Sequence, residues 1–100
     1  MLKKEYKLRA KVWVYSGMAA WRFVTLPKKQ SDEIKDIFSL FKRGWGSLPV
    51  TVKLGETTWN TSIFPDKKSG SYLLPLKVEV RKKEKIVDGK TIIFLLKISV

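Results

Sequence analysis

The chain has no cysteine and no histidine. The first absence removes disulfides, thiolate nucleophiles and thiolate metal ligands together. The second removes the commonest general base, the commonest transition-metal ligand and the side chain that titrates near neutral pH. A zinc site has almost nothing left to be built from. Acids are scarce too: nine Asp and Glu stand against 21 Lys and Arg, for a formal net charge of +12 and a pI near 10.1. No apolar run approaches the roughly 18 residues that a membrane span needs. The start, Met1-Leu2-Lys3-Lys4-Glu5, has no apolar stretch behind it of the kind a secretory signal requires. A cytoplasmic location with no membrane association is the default expectation.

What remains is a chain of 100 residues with 44% hydrophobic content. That is one globular domain, residues 1–100, with a single modest core. Tyr6, Leu8, Ala10, Val12 and Val14 alternate with Lys7, Arg9, Lys11, Trp13 and Tyr15, the period of a half-buried strand. Ser16-Gly17 marks a turn. Ala20 to Leu26 reads as a second strand that pairs with the first as a hairpin and ends at Pro27. Ser31 then reads as a helix N-cap. Ile34, Ile37, Phe38 and Phe41 form one apolar stripe, with Lys42-Arg43 at the negative end and Gly44 closing the helix. Phe38 and Phe41 are both expected in the core. Gly44-Trp45-Gly46 reads as the helix exit, with Trp45 as an anchor.

Four more strands follow. Leu48 to Leu54 turns at Gly55-Glu56 into Thr57 to Phe64. Tyr72 to Arg81 forms a fifth strand with Tyr72, Leu74, Leu76, Val78 and Val80 inward. Asp88-Gly89 is a hairpin dipeptide before the last strand, Thr91 to Val100. Six strands and one short amphipathic helix predict an all-β barrel, which also removes exposed edges.

Several patterns carry chemical meaning, each beside a plainer reading. The stripe Lys7, Arg9, Lys11, Trp13, Tyr15 could track a phosphate backbone and stack bases, or the rings could pack beneath the helix while the cations are solvated. Thr58, Asn60 and Ser62 on one face, with Trp59 and Thr61 on the other, could hold a small polar ligand at a barrel mouth. Thr and Ser also simply favour strands. Lys77, Glu79 and Arg81 read as a surface ladder of alternating sign, or as an anion site. No Ser-x-x-Lys or Gly-x-Ser-x-Gly pattern is present, and Gly44-Trp45-Gly46 is too short for a phosphate loop. An enzyme would need a general base that the sequence does not identify.

Five segments together carry a family resemblance. They are Trp21-Arg22-Phe23-Val24-Thr25-Leu26-Pro27, Gly44-Trp45-Gly46-Ser47, Val50-Thr51-Val52-Lys53-Leu54-Gly55, Trp59-Asn60-Thr61-Ser62-Ile63-Phe64-Pro65 and Tyr72-Leu73-Leu74-Pro75-Leu76-Lys77-Val78-Glu79-Val80-Arg81. Over roughly residues 8 to 98 the chain resembles the prokaryotic domain-of-unknown-function family numbered nineteen-oh-five. The resemblance implies a double-split β-barrel and carries over no catalytic residue.

The sequence therefore points to a small basic binding module without catalysis, cofactor or metal. Its expected partner is nucleic acid or another acidic surface, bound without sequence preference through Lys7, Arg9, Lys11, Arg81, Lys82, Lys83 and Lys85. Two alternatives stay open: a ligand pocket formed by Trp59, Thr61, Ser62, Lys77 and Arg81, and an enzyme of unknown class. The oligomeric state stays open.

Overall fold

The computed structural model describes residues 2–16, 21–42 and 44–100, with the backbone but not the side chain of Trp45. The expected turn glycine Gly17, the strand start at Ala20, the helix-end cation Arg43 and the Trp45 anchor all lie outside the described residues. The strands are β1 (Lys3–Val14), β2 (Arg22–Thr25), β3 (Leu48–Leu54), β4 (Thr57–Asp66), β5 (Ser71–Pro75) and β6 (Thr91–Ser99). They close into an antiparallel barrel in the order β1-β2-β5-β4-β3-β6. The expected six-stranded barrel is therefore correct, and so is the expected β1–β2 hairpin, in register at Val12 and Val24.

Two long strands close the barrel by changing partners midway. Lys3 to Lys11 of β1 pair with β6, and Val12 to Val14 pair with β2. Thr57 to Ile63 of β4 pair with β3, and Phe64 to Asp66 pair with β5. The result is a broad sheet of β1, β6, β3 and β4 and a narrow side formed by β2 and β5. Strands that switch sheets in this way make the corners of orthogonal packings.

The inward alternation supplies the core: Leu8, Val12, Val24, Leu48, Val50, Val52, Ile63, Leu74 and, from β6, Ile92, Phe94, Leu96 and Ile98. Helix α1 (Lys28–Phe38) closes one end and buries Ser31, Ile34 and Phe38. Its Lys35 donates to the Gly70 carbonyl of the β4–β5 turn at 2.8 Å, and its Glu33 meets Lys4 at the start of β1. Helix α2 (Val78–Lys83) closes the other end and buries Val80. Just past it, the Glu84 carboxylate accepts a hydrogen bond from Thr57 Oγ1 at 2.6 Å. Gly55, at φ +59, makes the β3–β4 turn against that carboxylate, where any Cβ would collide.

Four expectations are corrected. The segment Tyr72 to Arg81 is not one strand. β5 stops at Pro75, and α2 takes up Val78 onward, so Val78 is exposed and Lys77, Glu79 and Arg81 form no outward ladder. The reason lies in Pro75. Leu76 N–H donates to Arg22 and the Tyr72 carbonyl accepts from Leu26, so even positions of β5 face β2 and Pro75 faces β4, with no N–H to extend that ladder. Glu79 in the first turn and Arg81, Lys82 and Lys83 in the last suit the helix dipole.

Second, Asp88-Gly89 does make a turn, with Gly89 at φ +83. It does not join β5 to β6, which are not neighbours. Instead Gly89 N–H donates to Val12 at 2.9 Å and leads the chain in beside β1. Third, Ser31 caps nothing. The helix begins three residues earlier behind Pro27, whose carbonyl accepts the Ser31 N–H at 2.9 Å as the first helical hydrogen bond. Ser31 lies buried in the helix, where its Oγ accepts the Tyr72 N–H at 3.1 Å. Fourth, Phe41 is 41% exposed. The α-helix ends at Phe38 and continues as a 3₁₀ turn over Ser39–Phe41. The tighter winding carries Phe41 off the stripe.

Candidate functional site

Two surfaces gather chemistry. The larger is the outer face of the broad sheet. Along β1 the outward positions are Lys3, Glu5, Lys7, Arg9 and Lys11. Register sets Lys97 opposite Glu5 and Leu95 opposite Lys7 on β6, then Thr51 opposite Lys97 and Lys53 opposite Leu95 on β3. On β4 the same rows end in Asn60 and Thr58. Cations two apart on a strand repeat about every 6.8 Å, and neighbouring strands lie about 4.8 Å apart. The face thus carries Lys3, Lys7, Arg9, Lys11, Lys53 and Lys97 against the single carboxylate of Glu5. Lys97 is half-buried and the other cations are exposed. Among the described residues, none of these cations forms an ion pair or side-chain hydrogen bond.

At its far end β1 turns aromatic. Trp13 leans on Phe23 with ring centres 5.3 Å apart, and its Nε1 donates to Thr25 Oγ1 at 3.0 Å. Tyr15 meets Phe23 edge-on at 6.2 Å, and Trp21 meets it at 5.8 Å. Phe23 is buried outside the barrel core by these rings. Tyr15 remains 45% and Trp21 50% exposed. The rings pack chiefly on one another, and two of them keep a free surface.

The second surface is a cleft of about 270 Å³ beside the end of β5, lined by Trp21, Arg22, Pro75, Lys77, Val78 and Arg81. Arg22 Nε pairs with Asp88 at 2.7 Å. Arg81 Nε donates to the Leu76 carbonyl at 3.2 Å. Lys77 reaches toward the Asn60 carbonyl at 3.4 Å.

The sequence-derived residues divide accordingly. Lys7, Arg9 and Lys11 share the basic face. Lys82, Lys83 and Lys85 are exposed on and just after α2, at a barrel end, and Arg81 turns into the cleft. Of the five pocket residues, Lys77 and Arg81 meet in the cleft. Trp59 points inward from its row with buried Val52, and its Nε1 is buried without a protein partner. Thr61 and Ser62 sit on β4 and do not line that cleft, Thr61 lining a smaller depression with Asn60 and Lys97. Sequence reasoning missed Lys53, Lys97, Trp21 and Arg22. The alternation had already turned the first two outward, but only register shows that they extend the β1 stripe.

Among the described residues, no group of three or more acidic side chains is placed to hold a metal ion. No described helix is long and apolar enough to cross a membrane. Residues 9–96 match the family model described as Domain of unknown function (DUF1905). No curated protein matches the chain.

Proposed function

The chain belongs to the DUF1905 family, whose description names no activity, and we propose from its geometry that it is a polyanion-binding module acting on nucleic acid. The contact surface is the outer face of β1, β6 and β3. The observation that supports it is the registered set Lys7, Arg9, Lys11, Lys53 and Lys97, which among the described residues is opposed on that face by Glu5 alone and forms no ion pair. A basic face of this kind attracts phosphates through charge, and its affinity comes largely from counterion release. Lys outnumbers Arg there, and Lys is a hydrated point charge without the planar fork used for reading base edges. Binding is therefore blind to sequence. The exposed rings of Tyr15 and Trp21, just past the basic stripe, offer stacking to unpaired bases.

Fluorescence anisotropy with a random duplex and a single strand, across a salt series, tests this reading. Affinity falls steeply with salt, each neutralised phosphate adding about −0.9 to the log–log slope on duplex and about −0.7 on single strands. The double variant Lys53→Ala/Lys97→Ala lowers the magnitude of that slope by about 1.4 to 1.8, and Lys82→Ala/Lys83→Ala on α2 changes it less. Absence of binding at low salt, or equal effects of the two doubles, defeats the assignment.

A further inference from the structure

The strand that carries the basic stripe is paired along only part of one edge. β1 exchanges backbone hydrogen bonds with β6 at its even positions. Leu2 and Val100 bond each other both ways, at 2.8 and 2.9 Å, and Val12 N–H donates to Lys90 at 2.8 Å. The register between them keeps that phase. In an antiparallel ladder the residues between such pairs aim their N–H and C=O at the opposite edge. On β1 these are the odd positions. Tyr15 N–H donates to Trp21 at 3.2 Å, and the pairing with β2 runs back only to Val12 and Val24. Glu5, Lys7 and Arg9 lie beyond it. Among the described residues, nothing hydrogen-bonds their backbone groups on that edge.

The sequence explains why β2 leaves this lane. Phe23 pairs with Trp13, so Thr25 stands opposite Lys11, and Pro27 would stand opposite Arg9. Proline has no N–H to give to a ladder. The Pro27 carbonyl is taken by Ser31 N–H as α1 starts, and Leu26 N–H has already gone to Tyr72 of β5. The chain meets β1 again at Lys4, through Glu33 of α1. Between Pro27 and that ion pair, Glu5 to Arg9 forms a window of unpaired backbone. Of the described elements, β6 and β2 are those that pack extensively on β1. β4 also changes partners, but its first half is covered: Thr57 holds Glu84, and the Asn60 carbonyl takes Lys77.

We infer that this window is a strand-addition site for an extended acidic peptide of a partner protein. The peptide backbone pairs with Glu5, Lys7 and Arg9 in the lane that β2 leaves. Its acidic side chains lie outward beside Lys7, Arg9 and Lys11. An unpaired strand edge is a template for such pairing. Five residues, about 17 Å at strand rise, is ordinary strand length. Charge decides the occupant. The outward side chains beside the lane are Lys3, Lys7, Arg9 and Lys11 against Glu5, all exposed. A second copy paired antiparallel about Lys7 would set Lys7 against Lys7 and Lys3 against Lys11. Like charges directly opposite destabilise a strand pair. An acidic strand meets that conflict only at Glu5. On its inner side the lane borders Tyr6, Leu8 and Ala10, which belong to the core or pack on it. The peptide's alternate positions are therefore apolar.

The probe is a capped heptapeptide of alternating Glu and Val, beginning with Glu. Residues that exchange hydrogen bonds across a pair share a face, so the Glu N–H groups face β1 and the Val N–H groups face away. Peptide binding to the full chain is measured by fluorescence anisotropy, and amide hydrogen exchange is followed by NMR. In the free protein the amides of Glu5, Lys7 and Arg9 exchange fast while those of Tyr6, Leu8 and Ala10 are protected. The peptide slows the three odd amides. Backbone N-methylation at the interior Glu positions weakens binding by at least about tenfold, and at the Val positions by less than about threefold. Lys7→Ala/Arg9→Ala weakens it by about threefold or more. Lys82→Ala/Lys83→Ala, the same change in net charge on α2, does less.

The site does not rest on nucleic-acid binding, although Lys7 and Arg9 belong to both surfaces. The placement of N-methyl groups tests the backbone edge alone, so either reading can fail without the other. The inference is overturned if the heptapeptide does not bind, or if its two N-methylated forms bind alike. It is overturned if the three odd amides are already protected in the dilute free protein, or become protected as the protein dimerises, which would assign the edge to a second copy. It is also overturned if decathymidylate protects those amides as fully as the peptide does, which would assign the lane to the nucleic-acid surface.

Discussion

Tyr6 and Trp59 show what a single inward residue can cost a small barrel. They sit in one cross-strand row, Tyr6–Leu96–Val52–Trp59, on β1, β6, β3 and β4. Both polar tips are buried without a protein partner. A buried hydroxyl or indole N–H without a hydrogen bond is destabilising, so each is held there by the apolar packing of its ring. Burial, with a smaller effect from the Glu33 carboxylate, pushes the Tyr6 phenol above its ordinary 10.0. Burial does the same to Tyr72. The native fold thus favours the neutral phenols. Their contribution is complete below pH 10 and is lost as pH rises through the folded-state values. Urea denaturation from pH 8 to 11.5 should show a steep alkaline loss of stability. Tyr6→Phe and Tyr72→Phe should each make that loss shallower, and Tyr6→Phe should not destabilise at pH 8, since its hydroxyl has no protein partner to lose. A parent whose stability is flat to pH 11.5 would contradict the burial argument. Tyr6 was legible as inward from its period of two. The inward turn of Trp59 followed from the same alternation, yet its chemistry made it look like a ligand residue.

Elements, more than residues, are where the sequence and the structure part. Strands β1, β3, β4 and β6 were readable because each alternates over seven or more residues beside a distinct turn. Tyr72 to Arg81 alternates just as well, and its last four residues are helix. Alternation records which side chains can face a core. It does not record whether a neighbouring strand exists to pair with, and β2 is four residues long. Pro75 was the local sign that the ladder would stop. The end of α1 carries a similar lesson, since the i, i+3, i+4, i+7 pattern runs on to Phe41 while the α-helix does not. The two rings therefore separate in consequence. Phe38, 1% exposed at the closed barrel end, should cost about 3–5 kcal/mol when replaced by Ala. Phe41→Ala should stay within about 0.5 kcal/mol of the parent, as exposed substitutions usually do. Chemical denaturation of both variants decides the point. Equal losses would mean that Phe41 is packed after all.

At the scale of the whole molecule, a net charge of +12 on 100 residues acts on folding and binding in opposite directions. Like charges crowded on a barrel measuring 34 × 29 × 22 Å repel one another and destabilise the compact state. The Debye length falls from about 10 Å at 0.1 M salt to about 3 Å at 1 M, so added salt screens that repulsion and should raise the melting temperature of the free protein. Binding of a polyanion to the folded state stabilises it by mass action, about 2.7 kcal/mol at one hundred times Kd. For a domain of this size each kcal/mol shifts the melting temperature by about 4–8 °C. Salt weakens that binding by the counterion effect. Thermal melts with and without excess oligonucleotide should therefore converge as sodium chloride rises from about 0.05 to 0.5 M, the free protein moving up and the complex moving down. Charge reversal at Lys7 and Lys53 should remove the oligonucleotide's stabilisation at low salt and raise the free protein's melting temperature there, because the same cations supply both the attraction and the repulsion. If that variant loses binding without gaining stability, the basic face is too well solvated to strain the fold. If it gains stability and still binds, the polyanion sits elsewhere on the barrel.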